Sequence, residues 1–579
     1  MNWKKYLPAL EWLPSYGGNT FRGDLLAGLT VGIMLVPQGM AYALLAGMPP
    51  IYGLYGGLIP PLLYGLFGTS RQLSIGPVAV SALLVLAGIS QLAEPGSSEF
   101  ISLVLLTGLL IGLVQMAMGF LRLGFLVNFL SHPVILGFTS AAAVIIAVSQ
   151  LKYLLGFSIP RFEHLYETVG YALEHLSETH LPTLGICGGA IVFMVVVRRL
   201  SRAIPAALLV TVLGIVLVWL LGLEEAGVTI VGEVPSGLPA FTPIDFGMDR
   251  ILSVFPTVGT VTIIGIVESV GIAKVLEAKN KDTKVRPDQE LLALGFSKVV
   301  GAFFQALPTS GSFTRSAVND NVGAKTGMAS VFSALLIGLT LLVLTPLFYY
   351  LPEAVLGAIV LVAVRQLFTL EEAVQLWHQH RGDFFMMLTT FVLTLVLGIE
   401  EGVLIGVVFS IFMVIYRSSR PHMAVLGQLP NTDYYRNVDR FENAIQSEGI
   451  LIVRFDAQLY FGNVHVFKNT IFELVDEQEQ PLRLFVLDAS SILDMDSSGL
   501  HALEEVIDHL RQHGIRFTIS GVIGPIRDLL FKTGLMDKIG KENQFMSIRD
   551  AVKSYKDSTE EKAVGWTANA LQTNLYRKK

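Results

Sequence analysis

The chain has 579 residues, 52% of them hydrophobic and 15% charged, with a net charge of -6. That balance excludes a single soluble domain and fits a protein that crosses a bilayer many times. The negative charge argues against nucleic acid as a partner, and the lone cysteine, Cys187, excludes an intrachain disulfide and a cysteine metal cage.

The opening stretch, MNWKKYLPALEWLP, lacks the compact apolar core and small-residue cleavage site of a signal peptide. Residues 1–20 therefore read as a cytoplasmic segment, and insertion through the protein's own helices is expected. Fourteen apolar segments follow, at 21–45, 51–68, 75–92, 101–121, 125–150, 182–198, 204–223, 251–275, 288–305, 311–322, 328–351, 354–367, 384–399 and 401–416. A helical span needs ~20 apolar residues. Several of these are shorter, or are interrupted by Gly and Pro.

Loop charges set the orientation. With the N-terminus inside, the inner loops carry Arg71, Arg122, Arg198, Arg199, Arg202, Lys274, Lys279, Lys281, Lys284, Arg286, Lys325, Arg381, Arg417 and Arg420. Outer loops are acidic, with Glu163, Glu224, Glu225 and Glu233 among them, and Arg161 and Arg250 are the basic exceptions. Both termini are expected in the cytoplasm.

Fourteen segments divide into two sets of seven, about 21–223 and 251–417. An odd number per half forces opposite topologies, the inverted repeat of many secondary transporters. Two stretches read as counterparts: SRQLSIGPVAVSALL at 70–84 and SGSFTRSAVNDNVG at 310–323. Each starts a helix from a Ser/Gly-rich extended lead-in. If the two helices meet head to head, their N-terminal amides and positive dipole ends converge on one point and form an anion trap. Arg315 lies in the second stretch, flanked by apolar runs, and Glu268 in TVTIIGIVESVGIAKVL is the other intramembrane charge. Charges at such depth are costly and usually functional.

The motifs PQGMAYALLAGMPPIYGLY, GTSRQLSIGPVAV, LPTSGSFTRSAVN and PEAVLGAIV resemble those of the sulfate permease (SulP) family, in order, over residues 20–555. The GSF-hydroxyl-RSAVN pattern is most similar to the plant sulfate/proton symporter branch. The resemblance implies a core domain of segments one to four and eight to eleven, moving against a gate domain of five to seven and twelve to fourteen.

Residue by residue, the resemblance puts Gln38 and Tyr42 at the substrate. Pro77 and Val78 then mark the first half-helix start, and Ser312, Phe313, Thr314 and Arg315 the second. Gln38 offers an amide, Tyr42, Ser312 and Thr314 hydroxyls, Phe313 an apolar wall and Arg315 a positive field. The plainer alternatives are a helix-packing hydrogen bond for Gln38, an interfacial aromatic for Tyr42 and a topogenic loop charge for Arg315. The family implies that Glu268 couples proton entry to anion uptake near Arg315. A static Glu268–Arg315 bridge is the alternative. Sodium coupling is the rival, with Ser269, Ser310 and Thr314 as oxygen ligands beside Glu268.

Past Arg417 the composition turns polar, and residues 430–555 alternate short apolar strands with amphipathic helices, an α/β pattern. LDASSILDMDSSGLHAL resembles the STAS domain, whose members in this family support dimerisation and trafficking without enzymatic activity. Ser498 is the matching candidate for regulatory phosphorylation, weighed against a serine that merely caps the helix. His378, His380 and Arg381 read as a short inner loop, solvated rather than metal-binding. FSIPRFEHLYETVGYALEHLSETH reads as an amphipathic surface helix, and 556–579 as a flexible tail with a short helix over AVGWTANALQ.

The chain thus reads as a polytopic α-helical membrane protein with an α/β STAS domain. It is expected to carry a small inorganic oxyanion, sulfate first, with protons and by an elevator movement, as a homodimer in the cell membrane. Bicarbonate or dicarboxylate transport, an uncoupled exchanger or channel, and an anion sensor are the alternatives. No Walker motif suggests ATP-driven pumping, and no enzymatic activity, cofactor or metal is expected.

Overall fold

The computed structural model describes residues 7–125, 131–160, 162, 164–200, 205–280, 283–368 and 370–558. Arg161, Glu163, Arg202, Lys281 and the helix expected over AVGWTANALQ lie outside the described residues. The chain groups into two compact units, Met1–Ser410 and Ile411–Lys579.

Each of the fourteen expected segments has a helical counterpart in the first unit and the helix that leaves it. These are α1 (Gly18–Leu45), α2 (Pro50–Phe67), α3 (Ala79–Ile89), α4 (Ser98–Phe120) and α5 (His132–Ser149). After the amphipathic α6 (Leu165–Glu174) come α7 (Leu181–Leu200), α8 (Ala206–Leu221), α9 (Met248–Lys279), α10 (Pro287–Phe303), α11 (Phe313–Val322) and α12 (Met328–Leu339). The unit continues with α13 (Glu353–Val364), α14 (Leu370–Gln379), α15 (Arg381–Leu397) and α16 (Ile399–Ser419). Among the described residues, six helices are long and apolar enough to cross a membrane by length and composition, at Gly18–Leu45, Ser98–Phe120, His132–Leu155, Leu181–Leu200, Met248–Lys279 and Met328–Phe348. The sequence expected a loop at His378, but it falls in α14, where its Nδ1 lies 2.8 Å from the Val374 carbonyl oxygen.

The packing repeats with inverted partners. Helix α1 packs on α12 as α9 packs on α4, and α2 packs on α12 as α10 packs on α4. Likewise α11 meets α1 as α3 meets α9, and α5 meets α15 as α13 meets α7. In lipid there is little hydrophobic drive between helices, so close backbone approach must supply the attraction. Glycines permit it: a Cβ on Gly112 of α4 would lie 2.7 Å from the Gly295 oxygen of α10, and one on Gly295 would lie 2.6 Å from the Gly112 oxygen.

The second unit holds a six-stranded sheet ordered β4-β3-β5-β6-β7-β8. Its strands are β3 (Met423–Gln428), β4 (Tyr435–Asn437), β5 (Ile450–Phe455), β6 (Leu484–Asp488), β7 (Arg516–Ser520) and β8 (Gln544–Phe545). Strands β5 to β8 are parallel, and β3 runs antiparallel to both its neighbours. Helices α17 (Val464–Asp476), α18 (Ser497–Gln512), α19 (Gly524–Lys532) and α20 (Leu535–Ile539) connect its parallel strands. Alternate residues of β5 serve two cores. Leu451, Val453 and Phe455 join one, while Ile450 and Ile452 join the other with Ala551 and Val552 of the helical residues 548–558. A strand buried on both faces reads as an unbroken apolar run, which is why ILIV shows no alternation.

Candidate anion-binding site

Two buried strand fragments pair within the first unit. Residues Ile75–Gly76 (β1) pair antiparallel with Ser310–Gly311 (β2), Ile75 opposite Gly311 and Gly76 opposite Ser310. The Ser312 N–H extends the ladder by donating to the Ser74 oxygen at 3.0 Å. Helix α3 starts three residues past Gly76 and α11 two residues past Gly311. Because the strands are antiparallel, the two helices leave in opposite directions with their N-termini facing each other across the ladder. Each helix start carries roughly half a positive charge and a turn of amides without intrahelical acceptors.

Local chemistry holds the ladder in place. The Ser74 N–H donates to Ser316 Oγ at 2.8 Å, the Gly311 N–H to Ser269 Oγ of α9 at 2.9 Å, and Asn319 Nδ2 to the Gln72 oxygen at 3.0 Å. Ser81 Oγ of α3 donates to Ser310 Oγ at 3.2 Å. Ser312 caps α11 by accepting the Arg315 N–H at 3.4 Å. A Cβ on Gly76 would lie 3.1 Å from Arg315 Nη2 and 3.2 Å from Leu35 Cδ1, so a side chain there would press on both.

The expected residues distribute around this ladder. Arg315 is fully buried in α11, not on a loop, and its Nη1 donates to Gln38 Oε1 at 3.3 Å. Its Nε and Nη2 have no hydrogen-bond partner among the described residues. Arg315 has no acceptor, so Gln38 presents its carbonyl oxygen to it and turns its amide away. Tyr42 is buried one turn along α1 from Gln38, and Pro77 and Val78 are buried in the lead-in to α3. Ser312 and Thr314 are half-buried, and the Phe313 side chain is 59% exposed.

Glu268 lies on α9 next to Ser269, whose hydroxyl holds Gly311. Its Oε2 is buried without a hydrogen-bond partner, and it makes no ion pair with Arg315 among the described residues. The two charges are separate groups, not a bridge, among the described residues. Of the hydroxyls weighed as sodium ligands, Ser269 is engaged by Gly311 and Ser310 by Ser81.

Sequence reasoning named two intramembrane charges, and among the described residues the structure buries three more charged side chains in this unit. Asp24 accepts the Lys325 and Thr326 N–H groups at 2.6 and 3.0 Å and the Thr326 hydroxyl at 2.5 Å. Glu290 accepts the Tyr64 hydroxyl at 2.6 Å, the Thr69 and Ser70 N–H groups at 2.6 and 2.9 Å, and the Thr69 hydroxyl. It thereby anchors the approach to β1. Lys298, 4% exposed in α10, donates to Gln115 Oε1 of α4 at 2.9 Å. The available signal was its position inside the apolar run LALGFSKVVGAFF.

In the second unit Asp496, not a serine, caps α18: its Oδ1 accepts the Gly499 N–H at 2.8 Å and its Oδ2 the Phe461 N–H at 2.9 Å. The capping role weighed for Ser498 is thus corrected. Each carboxylate oxygen takes one of the two donors, so the same side chain closes the turn and holds the neighbouring loop. Ser498 sits half-buried in the first turn.

Residues 21–390 match the sulfate permease family, and residues 443–551 match the STAS domain. The chain belongs to the sulfate permease family. This permease is 40% identical over 565 residues to "Sulfate transporter 4.1, chloroplastic" of Arabidopsis thaliana, covering 94% of this chain and 82% of the relative. It is 33% identical over 575 residues to "High affinity sulfate transporter 2" of Stylosanthes hamata, covering 95% and 86%. The murine Solute Carrier 26 family member A9 anion transporter, solved in the inward-facing state, superposes with a TM-score of 0.88 at 28% identity, over 95% of the permease and 94% of that chain. The transmembrane domain of the cyanobacterial bicarbonate transporter BicA shares the fold over 68% of the permease and 98% of that chain, with a TM-score of 0.59 at 22% identity. The permease is therefore a multi-pass membrane protein of an anion-transporting family, carrying a STAS domain.

Proposed function

We propose that this permease is a secondary active transporter that takes up sulfate with protons, holding the anion between the N-termini of α3 and α11. The antiparallel pairing of β1 with β2 carries the reading. It sets two helix starts head to head beside a buried guanidinium that has donors to spare. Gln38, Tyr42, Pro77, Val78, Ser312, Phe313, Thr314 and Arg315 surround the ion in this reading. Sulfate is favoured because relatives aligned over nearly the whole chain are named for it.

Glu268 is the proton-coupling group, supported by its buried, unpaired carboxylate oxygen beside Ser269. The inverted packing supports an elevator in which α1–α4 and α9–α12 move as one body against α5, α7, α8, α13, α15 and α16. In this reading the fourteen segments lie in the cell membrane, α3 and α11 as half-helices, both termini are cytoplasmic, and residues 430–555 support a homodimer, with Ser498 open to regulation. Uptake of labelled sulfate into proteoliposomes, driven by an imposed proton gradient and competed with bicarbonate, oxalate and fumarate, tests it. Accumulation that needs the gradient and resists those competitors is the expected result. Sodium-driven accumulation, or stronger competition by bicarbonate or a dicarboxylate, replaces the coupling ion or the substrate.

A further inference from the structure

Among the described residues of the first unit, four charged side chains are buried to 4% exposure or less: Asp24, Glu290, Lys298 and Arg315. Backbone and hydroxyl donors account for both carboxylates, and Arg315 belongs to the proposed anion site. Lys298 is left over. It makes no ion pair among the described residues, and its hydrogen-bond partner is the neutral Gln115. A buried, unpaired cation is expensive, so its retention asks for a function.

The orientation of Gln115 gives a direction. A lysine ammonium only donates, so the amide must present its oxygen to Lys298 and its NH2 to the opposite side. That Nε2 is buried without a hydrogen-bond partner. A Cβ on Gly265 of α9 would lie 3.8 Å from Gln115 Nε2 and 2.8 Å from Ser310 Oγ. The positive end of the amide dipole therefore points at the place where α9 passes β2, and Ser310 is the β2 residue opposite Gly76.

We propose that Lys298 and Gln115 form a charge relay behind the ladder that sets the preference of the site for divalent over monovalent oxyanions. This rests on the anion site proposed above. Lys298 touches no substrate in this arrangement; it acts through Gln115 and is a specificity-determining, positioning residue. Its field adds to that of Arg315 and the two helix starts. The energy of an anion in that field scales with the anion's charge, so a factor gained by a monoanion is squared for a dianion.

The test uses the full chain in proteoliposomes. Sulfate KM and kcat are measured together with inhibition by selenate, a dianion, and nitrate, a monoanion. In Lys298→Met, sulfate KM and the selenate inhibition constant rise about tenfold, and the nitrate constant about threefold, at little cost in kcat. Lys298→Arg keeps the wild-type selenate-to-nitrate ratio. The double variant Lys298→Met with Gln115→Leu removes both polar partners, guards against misfolding, and shows the same loss of preference. An unchanged ratio in a folded variant, or a loss confined to kcat, overturns the proposal and leaves Lys298 a packing residue. Arg315→Gln separates the two readings. If it spares sulfate uptake, the anion site itself is wrong; if it abolishes uptake while the Lys298 series keeps its ratio, only the relay is.

Discussion

Arg315 of α11 donates to Gln38 of α1 at 3.3 Å, joining residues 277 positions apart in the chain. The bond spends one of the guanidinium's five N–H groups and leaves the planar head beside Gly76, with Nη2 3.1 Å from where a Cβ there would lie. It also ties the two inverted halves together at the point where their half-helices meet.

Removing that charge is expected to abolish transport without unfolding the protein. Truncating one member of a buried, hydrogen-bonded polar set costs about 2–5 kcal/mol of binding, or roughly 30- to 4000-fold. Arg315→Gln should therefore bring labelled sulfate uptake to background while the purified variant keeps its thermal melting point. Arg315→Lys should recover only a part, because an ammonium lacks the planar fork. Uptake near wild type in Arg315→Gln would place the anion elsewhere.

Glu268→Gln keeps the size and hydrogen-bonding capacity of the side chain and removes its titration. The expected outcome is retained sulfate exchange between the two sides with loss of acceleration by an inward proton gradient. Uptake is measured against external pH in proteoliposomes. A variant that keeps the wild-type pH profile removes Glu268 from coupling, and one that cannot be purified folded points to a structural role.

The Gly112–Gly295 crossing makes a stability prediction. Alanine at Gly112 would press its Cβ against the Gly295 oxygen at 2.7 Å, and backbone cannot yield as a flexible side chain can. Overpacking of this kind costs about 1–3 kcal/mol. Gly112→Ala should lower the melting temperature of the detergent-solubilised protein, and Gly295→Ala should do the same. An unchanged melting temperature in both would show that α4 and α10 can separate freely.

The STAS unit should lose stability in acid through Asp456. Burial pushes its carboxyl up, but hydrogen bonds and charge from Arg454 and His422 outweigh burial and hold it below the usual carboxylate range. Arg454 donates through Nε at 2.5 Å and Nη2 at 3.0 Å, and His422 Nδ1 lies 3.0 Å from Oδ2. A depressed folded value means the stabilisation is fully present above the unfolded carboxylate value of about 4 and is lost as pH falls through the folded one. Chemical denaturation of the STAS unit within the full chain, followed across that window, should show this slope. Asp456→Asn should flatten it.

Much of this architecture is local and was legible. A helix in lipid needs only an apolar run, so the fourteen segments stand out one by one and each has its helix. The Ser/Gly-rich lead-ins at 70–84 and 310–323 likewise declare interrupted helices from their own composition. Short strands are another matter. The run MAVLGQ of β3 and the two residues of β8 hold their place through neighbours in the sheet, not through any pattern of their own.

The amino-acid order alone determined where the chain is apolar, where its helices break and which arginine sits in a break. Only the tertiary structure decided that Ile75 faces Gly311, that Glu268 stands apart from Arg315, and that Lys298 is buried against Gln115. Each of those is a contact between distant segments. A lysine in an apolar run can stretch its head to the membrane surface or bury it, and only the helices packed around it choose between the two.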